Sequence, residues 1–577
     1  MAAITRQRAI FLRLVSHGLS ELDSGRAETA AAYAQIAGDF AWHYHPGLFG
    51  SPSLEELLHS LSRELPRSGV AAPRAGDECH RVLHVLTTAF PLGGHTRLVW
   101  RWIQNDTDCS HSVVLTGQSW MHPEGLPHDM PVQLAEAVAR SGGDFVIMDD
   151  REDGILTRAA ALRETITKFD RVVLHIHPHD AAPLIAIAED EGPPVILLNH
   201  AEHVFWPGAS AVDIVAHLRE ESATISESFR GIERNRSFVL PIPLAPTTGM
   251  WSHEKAKRLL DLPSESIVLL TVGSAYKYKT DDGQHFVDAI LPVIERHPAA
   301  VLLAVGPEGD SSWEAAKTMS GDRIRACGRR DDVERFFAAA DVYLDSFPIG
   351  SITAVLEAAL HGLPIVQCEL PTPTLLPTTD AALSGFLIRE KLETYADRIA
   401  SLVANETARR AIGAEIRERV SGLHTGERWQ SLLRELYAHA TRAPRPRPRI
   451  RVDEARSIEA TDQWVQWMAE TTGFSRDFSE KQLIAHSRFM PADRRLILAG
   501  RAREATRLIT PIDVRTRAHF ERPRRYVAAD AIKPASWPLF MKTLLRTAKA
   551  QARDATRATW PRRHRSAPKR GGFISRT

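Results

Sequence analysis

The sequence predicts an α/β protein with two doubly wound units, a helical region before them and a basic, partly helical tail after them. Three observations carry this prediction. Apolar runs of strand length alternate with helical segments from about residue 81. The alternation starts again near residue 265, after the proline-rich stretch "LPIPLAPTTG". A chain of 577 residues is also too long for a single hydrophobic core.

Residues 1–78 are expected to be helical. "AETAAAYAQIAGDFAWHYHPGLF" has a helical pattern that stops at Pro46-Gly47. "SPSLEELLHSLSREL" then begins another helix, with Ser51 or Ser53 as its N-cap. Arginines scattered through the first twenty residues indicate an amphipathic helix rather than a signal peptide.

The first α/β unit is predicted over residues 79–245 and the second over 246–440. Strands of the first are "RVLHVLTTAF", "HSVVLTG", "DFVIMD", "RVVLHIHPHD" and "PPVILLNHAEH". Strands of the second are "SIVLLTVGSAYKYKT", "AVLLAVGP", "DVYLDSF" and "LPIVQC", and residues 386–440 are expected to be helical. Buried parallel strands give such near-continuous apolar runs.

The tail, residues 441–577, differs in charge from the rest of the chain. It holds 31 Lys and Arg against 13 Asp and Glu, a net charge of +18, whereas the remainder carries −17. This split predicts that the tail meets a polyanion, a membrane surface or the acidic body itself.

Four cysteines without C-x-x-C spacing indicate neither a zinc site nor a disulfide framework, which fits a cytoplasmic location. No apolar run approaches the roughly 18–20 residues of a membrane span.

Ligands of open α/β sheets bind beyond the carboxyl ends of the strands. "YLDSFPIGSITAVLEAALHG" places Thr353 at a helix start, where free N–H groups and the helix dipole favour an anion. Glu357 lies four residues on, on the same face, where its carboxylate can accept hydrogen bonds from a ribose. The pair therefore predicts a nucleoside diphosphate site. The alternative is a capped helix with Glu357 in solvent or in a salt bridge.

Two more loops follow first strands. "VGSAYKYKTDDG" carries Lys277 and Lys279, and a lysine there can neutralise a diphosphate and the charge on a departing nucleotide. In "AFPLGGHTRL", Gly93 and Gly94 let the backbone approach a ligand, and His95 can act as a base or donate to a phosphate. Plain surface loops are the alternative for both. The second loop is not G-x-G-x-x-G, so a dinucleotide is not expected.

A histidine-rich pair of segments, "LHIHPHD" and "LNHAEHVFWPG", follows two strands of the first unit. Neither H-E-x-x-H nor a cysteine partner is present, so no metal site is expected. His177, His200 and His203, with nearby aromatic residues, are typical of a sugar or acceptor pocket. For any one of them, a structural role is the alternative.

The two units, "YKYKTD", "AVLLAVGP" and "RIRACGRRDDVERFFAAADVYLDSFP" together resemble a GT-B glycosyltransferase over residues 80–440, most strongly over 265–368. The retaining family-4 type has a Glu eight residues before the ribose-binding one, and here that position is Ile349. "DSFPIGSITAVLE" is more similar to the O-GlcNAc transferase and soluble bacterial N-glucosyltransferase group, in which an acidic residue follows the strand's Asp by twelve positions, as Glu357 follows Asp345. That group's small polar residues are partly replaced, leaving Ser351 and Thr353 as hydroxyl donors.

The resemblance implies transfer of a sugar from a nucleotide sugar, expected to be UDP-linked, to a glycan, lipid-linked or protein acceptor. It points to Lys277 as the diphosphate-binding lysine, and it implies no metal or other cofactor. Inversion is slightly favoured by the missing carboxylate, and His95 is the first candidate for the base, with His177 and His203 in reserve. Two rivals stay open: a non-catalytic binding or scaffold protein, and a sugar-nucleotide epimerase of similar fold.

Residues 535–570 combine tryptophan, leucine and phenylalanine with many cations, which predicts an interfacial helix on anionic lipid. Such a contact would place the protein at the inner face of a membrane and suit bacterial glycan biosynthesis on a lipid carrier. Packing of the tail on the body, or disorder, is the alternative. Scattered arginines without a recognisable nucleic-acid-binding fold make a nucleic-acid partner unexpected.

Overall fold

The structure is a computed structural model. It describes the chain up to residue 498 with gaps, and the described residues are 1–67, 80–90, 94–118, 131–148, 153–189, 191–247, 249–279, 285–369, 383, 385–471, 483, 486–495 and 497–498. Gly93 and the proposed lipid-binding residues 535–570 lie outside them. Among the described residues, no helix has both the length and the apolar character needed to cross a membrane.

Three helices form the N-terminal region, as predicted. They are α1 (Ala2–Asp23), α2 (Ala27–His43) and α3 (Pro52–Arg63). The Ser51 side chain accepts a hydrogen bond from the Leu54 backbone N–H at 3.2 Å, so Ser51 is the N-cap of α3. Nearly every residue of α2 is buried, because α1 covers one side and two helices of the first unit, α6 (Ile155–Ile166) and α7 (Ala181–Ile187), lie on another.

The first sheet has seven parallel strands in the order β3-β2-β1-β4-β5-β6-β7. Its strands are β1 (Arg81–Leu86), β2 (Ser110–Leu115), β3 (Phe145–Ile147), β4 (Arg171–His175), β5 (Val195–Asn199), β6 (Ile214–His217) and β7 (Ser237–Val239). Its helices are α4 (Gly94–Asn105), α5 (Val132–Arg140), α6 (Ile155–Ile166), α7 (Ala181–Ile187) and α8 (Glu220–Arg230). The segment from β6 to β7 contains regular structure that the sequence analysis did not predict.

The second sheet has six parallel strands in the order β10-β9-β8-β11-β12-β13, the order of a doubly wound nucleotide-binding fold. Its strands are β8 (Ile267–Val272), β9 (Ala300–Val305), β10 (Ile324–Ala326), β11 (Val342–Leu344), β12 (Ile365–Glu369) and β13 (Ile388–Lys391). Its helices are α9 (His253–Leu259), α10 (Phe286–Arg296), α11 (Ser311–Met319), α12 (Val333–Ala339) and α13 (Ile352–Leu360). The prediction that residues 386–440 are helical throughout was wrong at β13, which pairs with β12.

Four more helices follow the second sheet: α14 (Leu392–Ala404), α15 (Glu406–His424), α16 (Gly426–Thr441) and α17 (Ala460–Thr471). Residues 442–459 lie outside helices and strands and return to the first unit, where Arg445 and Arg447 both donate to buried Asp213. The predicted α/β class with two doubly wound units is confirmed. Because each strand runs parallel to its neighbours, the carboxyl ends of each sheet share one edge, and the predicted site residues follow those ends.

Candidate active site

The loops predicted to bind ligand lie at the switch point of each sheet, where the strand order reverses. In the second sheet the switch falls between β8 and β11, and in the first it falls between β1 and β4. Lys277 follows β8, and the loop to Thr353 follows β11. His95 follows β1 and His177 follows β4. Crevices at such points are where open α/β sheets bind ligands.

Asp345 holds the loop that leads into α13. Its carboxylate accepts hydrogen bonds from the backbone N–H of Ser351 at 2.9 Å, the backbone N–H of Ser346 at 3.0 Å and Gln367 Nε2 at 2.8 Å. Burial raises the pKa of Asp345 despite these hydrogen bonds. Asp345 therefore fixes the backbone ahead of the helix start, and its carboxylate is buried.

Lys277 reaches the helix start from the neighbouring loop. Its Nζ donates to the Gly350 carbonyl at 2.8 Å and to Ser351 Oγ at 2.9 Å. Burial lowers the pKa of Lys277, with nearby Asp345 acting in the opposite direction. The structure thus brings Lys277 and Ser351 together at the N-terminus of α13, with Thr353 in the first turn. A cation and a helix N-terminus at one point suit a phosphate group.

Glu357 has partners that the sequence did not reveal. Arg101 Nη2 donates to Glu357 Oε1 at 2.6 Å, and Arg97 Nη1 lies 2.9 and 3.2 Å from the two carboxylate oxygens. Both arginines belong to α4 of the first unit. Burial acts to raise the pKa of Glu357, but Arg101 and Arg97 outweigh it and the pKa lies below its usual range. The carboxylate is ionised and joins the two units.

The two switch points meet at Gly94. A Cβ on Gly94 would lie 3.4 Å from Thr353 Oγ1, so the start of α4 faces the start of α13. Gly93 lies outside the described residues. Burial, followed by Arg230 and Lys277, lowers the pKa of His203 to about 4. The cleft therefore has Lys277 and Thr353 on one wall and Gly94 on the other.

His95 lies among other imidazoles. Its ring centroid is 4.3 Å from that of His200 and 5.6 Å from that of His177. Burial is the main cause that holds the pKa of His95 and His177 well below the usual value, and it lowers that of His200 to about 4. These rings are neutral at pH 7. A neutral imidazole can accept a proton, which is the property a base needs.

A small cavity opens beside these histidines. It is lined by Ile176, His177, Pro178, Leu197, Leu198, Asn199, His200, Ala201, Trp206 and Pro207. Trp206 Nε1 and Asn199 Oδ1 are buried and have no hydrogen-bond partner among the described residues. Trp42, from α2, adds a ring 5.5 Å from that of His177. The cavity thus offers one donor, one acceptor and several ring faces.

Metal ligation was not expected, and the described residues contain no group of three or more His, Cys, Asp or Glu side chains arranged to hold a metal ion.

The sequence analysis did not predict that Arg97, Arg101, Asn199, or Trp42 of the N-terminal helices would lie at the site. A signal for the arginines was present, because Arg97 and Arg101 are four residues apart on the helix after the glycine turn. Their partner lies about 260 residues away in sequence, and no local pattern reveals such a pairing.

Comparison with known families identifies part of the chain. Residues 266–405, which include β8 and α13, match the family model described as "Glycosyl transferases group 1". This region is a group 1 glycosyltransferase domain. The match confirms the prediction that the chain is an enzyme of the glycosyltransferase class. No curated protein matches the sequence.

Solved structures that resemble the chain include a glycosyltransferase from Rickettsia africae, with TM-score 0.48 and 12% identity, covering 63% of this chain and 99% of that one. Anabaena HepE in complex with UDP and glucose matches with TM-score 0.46 and 13% identity, over 62% and 99% of the two chains. A mutant O-GlcNAc transferase from Thermobaculum terrenum matches with TM-score 0.45 and 13% identity, over 75% and 84%.

Within the glycosyltransferase domain, the residues predicted from the sequence are Lys277, Ser351, Thr353 and Glu357. The structure brings the first three to one helix start and places Glu357 one turn further along, against Arg97 and Arg101. His95, His177 and His200 form a group on the facing unit. Their roles in binding or catalysis stay predictions.

Proposed function

We propose that the protein transfers a sugar from a UDP-linked donor to a glycan, lipid-linked or protein acceptor, with the donor diphosphate held at the N-terminus of α13. One observation carries this proposal: Lys277 Nζ lies within hydrogen-bond distance of Gly350 and Ser351 at the mouth of that helix, inside the group 1 glycosyltransferase domain. An ammonium and unpaired N–H groups there can stabilise the charge that develops on the departing diphosphate.

The acceptor side is assigned to the first unit. His95 follows Gly94, which faces Thr353, and its ring packs against those of His200 and His177. His95 is our candidate for the base that takes the acceptor's proton, with His177 and His203 as alternatives. His177 and His200 belong to the acceptor pocket. The reaction as proposed needs no metal ion, and inversion at the sugar carbon is slightly favoured by the absence of a carboxylate at Ile349.

The first test is thermal unfolding of the full chain against UDP, GDP, dTDP and CMP sugars, because a ligand that binds only the folded state raises its melting temperature. We expect UDP sugars to raise it. Lys277→Met, which removes the ammonium and retains most of the side chain, is expected to abolish the rise. Lys279→Met is the matched control, since Lys279 is exposed and two residues away. A rise that survives Lys277→Met would contradict the assignment of the diphosphate.

The second test separates a transferase from its rivals. Release of UDP should depend on an added glycan, lipid-linked or protein acceptor. An epimerase would convert the donor without any acceptor, and a scaffold protein would release no UDP in either case.

Sedimentation with anionic and neutral vesicles, for the full chain and for residues 1–503, tests the proposed contact of residues 535–570 with lipid. Binding that requires both the tail and anionic lipid is the expected result.

A further inference from the structure

Three histidines form a hydrogen-bonded row in the core of the first sheet. His84, on β1, lies between the other two: its Nδ1 is 2.9 Å from His175 Nε2, and its Nε2 is 3.0 Å from His111 Nδ1. All three are fully buried. Together with Asp106, we call them the histidine row. Burying imidazoles where aliphatic side chains would pack is unfavourable unless every polar atom is paired, so the row needs an explanation beyond packing.

The histidine row runs towards the cleft. Strand β1 lies between β2 and β4, with His111 in register with Val82 and His175 in register with Leu86. Positions 82, 84 and 86 share one face of the sheet, because side chains alternate along a strand. The three rings therefore rise diagonally, two residues at a time, from the amino end of the strands to the carboxyl edge where His95 lies.

Hydrogen-bond chemistry fixes the direction of the row. His111 Nε2 lies 3.3 Å from both the Asp106 carbonyl oxygen and Asp106 Oδ2, which are acceptors only, so this nitrogen carries the proton. Taken as a neutral ring with one N–H, His111 accepts at Nδ1 from His84 Nε2. By the same argument His84 Nδ1 accepts from His175 Nε2. Each ring is then the Nε2–H tautomer, and His175 Nδ1 is left as a lone pair.

His175 Nδ1 lies at the end of the histidine row that is nearer the cleft. His175 Nδ1 is buried and has no hydrogen-bond partner among the described residues. A backbone hydrogen bond with His175 acts on the His95 ring. The His95 and His175 ring centroids are 6.3 Å apart, close enough for one bridging water or a small ring movement. Burial, followed by neighbouring histidines, holds the pKa of His84 and His175 well below the usual value, so neither stores a charge. A vacant acceptor thus lies beside the candidate base.

We propose that the histidine row relays a proton between His95 and Asp106 during the transfer reaction, an inference that rests on the function proposed above. His95, having taken the acceptor's proton, passes one to His175 Nδ1. The His175 Nε2 proton moves to His84 Nδ1, and the His84 Nε2 proton moves to His111 Nδ1. The His111 Nε2 proton moves to the Asp106 carboxylate.

Each step breaks one N–H bond and forms one N–H or O–H bond, and no electron pair leaves its atom. The three rings of the histidine row end neutral, as Nδ1–H tautomers, and Asp106 ends as a carboxylic acid. The reverse sequence restores the row after the product leaves. His84 and His111 never touch substrate, so they are positioning residues for the proton and His95 remains the group at the reacting atoms.

The tautomers can be tested without any assay of activity. Nitrogen-15 NMR of the full chain with labelled histidine distinguishes Nδ1–H, Nε2–H and doubly protonated rings. Comparison with His84→Gln and His111→Gln variants assigns the signals. We expect three neutral Nε2–H rings at pH 7 with slow exchange of their protons. A charged ring or an Nδ1–H ring among the three would overturn the relay as described.

The relay itself is tested by His84→Gln in the transfer assay, because a glutamine keeps one donor and one acceptor but an amide does not pass protons on. We expect kcat to fall about tenfold, both KM values to stay unchanged, and the solvent deuterium isotope effect on kcat to change. His59→Gln is the control, since His59 is buried and pairs with Glu189 at 2.8 Å, outside the row.

Transfer by His84→Gln at the wild-type rate, with the same pH profile and isotope effect, would overturn the relay and leave the proposed function standing. If the wild-type protein transfers sugar to none of the acceptors, the proposed function fails and the relay that serves it falls too. The tautomers would then describe a structural network only.

Discussion

At the scale of single residues, Glu357 shows how a contact from a distant part of the chain changes an interpretation. Its spacing from Thr353 predicted a carboxylate available to a ribose. In the structure, Arg97 contacts both carboxylate oxygens and Arg101 contacts one. A carboxylate has about four lone-pair positions, so the ribose hydroxyls can bind Glu357 only if at least one guanidinium gives way.

This competition gives a prediction for Arg97→Met. Arg97 is the more exposed of the two arginines, with 26% of its side chain accessible against 12% for Arg101. Removing it should free one oxygen of Glu357 while Arg101 keeps the carboxylate ionised. We expect the Kd for the nucleotide to fall about threefold, which is within the energy of a partly exposed ion pair. Isothermal titration with UDP measures it.

Lys279→Met is the matched control for that titration, because it removes a cation of the cleft region that makes no contact with Glu357. Weaker binding by Arg97→Met would contradict the competition, and it would mean that Arg97 itself contacts the nucleotide.

The buried histidines predict a loss of stability in mild acid. Burial lowers the pKa of His179 to about 4 and that of His217 to about 3, from an unfolded value of 6.5. Between pH 6.5 and the folded pKa, the unfolded chain binds protons that the folded chain does not. The free energy of unfolding therefore falls as the pH drops below about 6.5, and it stops falling near the folded pKa. For His179 the loss is on the order of 3 kcal/mol.

Urea unfolding between pH 8 and pH 4 measures this loss, and His217→Asn should reduce its slope. Unfolding free energies that stay constant from pH 6.5 to pH 4.5 would show that these rings are protonated in the folded state or accessible to water.

At the scale of elements, the end of α13 packs closely on α15. A Cβ on Gly413 would lie 1.8 Å from the carbonyl oxygen of Gly362, so no side chain fits there. Gly413→Ala should therefore push α15 away from the helix that presents Thr353, destabilising the protein by about 2–4 kcal/mol and weakening nucleotide binding. Chemical denaturation and thermal shift with UDP report the two effects.

Gly422→Ala is the matched control on the same helix, because nothing lies within 4 Å of a Cβ there. It should stabilise the protein by up to about 1 kcal/mol through helix propensity. Equal stability of the two variants would show that α13 and α15 are not in close contact in solution.

The strand-end loops were predictable from the sequence because glycines, lysines and histidines follow apolar runs at recognisable boundaries. The histidine row was not. His84 and His111 lie inside strands that are buried on both faces, where no alternation distinguishes one face from the other. β13 was also hidden, since its sequence "IREK" has only one aliphatic residue and owes its conformation to pairing with β12. Local preference decides less there than tertiary contact.

At the scale of the whole molecule, the segment after α16 ties the first unit to the N-terminal helices. Arg445 and Arg447 donate to Asp213, and Asp462, on α17, lies 2.9 Å from His45 Nε2. Burial acts to raise the pKa of Asp213, but Arg447 and Arg445 outweigh it and lower the pKa. Ordering the segment after α16 costs conformational entropy, and these ion pairs offset that cost.

Truncation tests this role of the segment. A chain of residues 1–503 should unfold within about 2 °C of the full protein, whereas a chain of residues 1–444 should unfold roughly 5–10 °C lower, because Asp213 and His45 lose their partners. Calorimetry measures both. Equal melting temperatures for the two truncated chains would show that residues 445–471 do not dock on the rest of the protein in solution.

The bridge from Glu357 to α4 has a consequence for inheritance and for engineering. One residue of the bridge belongs to the unit expected to choose the nucleotide, and two belong to the unit expected to choose the acceptor. Positions 97, 101 and 357 should therefore change together among related sequences. Hybrid enzymes made by exchanging one unit between relatives should fold well only when both parents share this triplet, so specificity for donor and acceptor is not freely interchangeable.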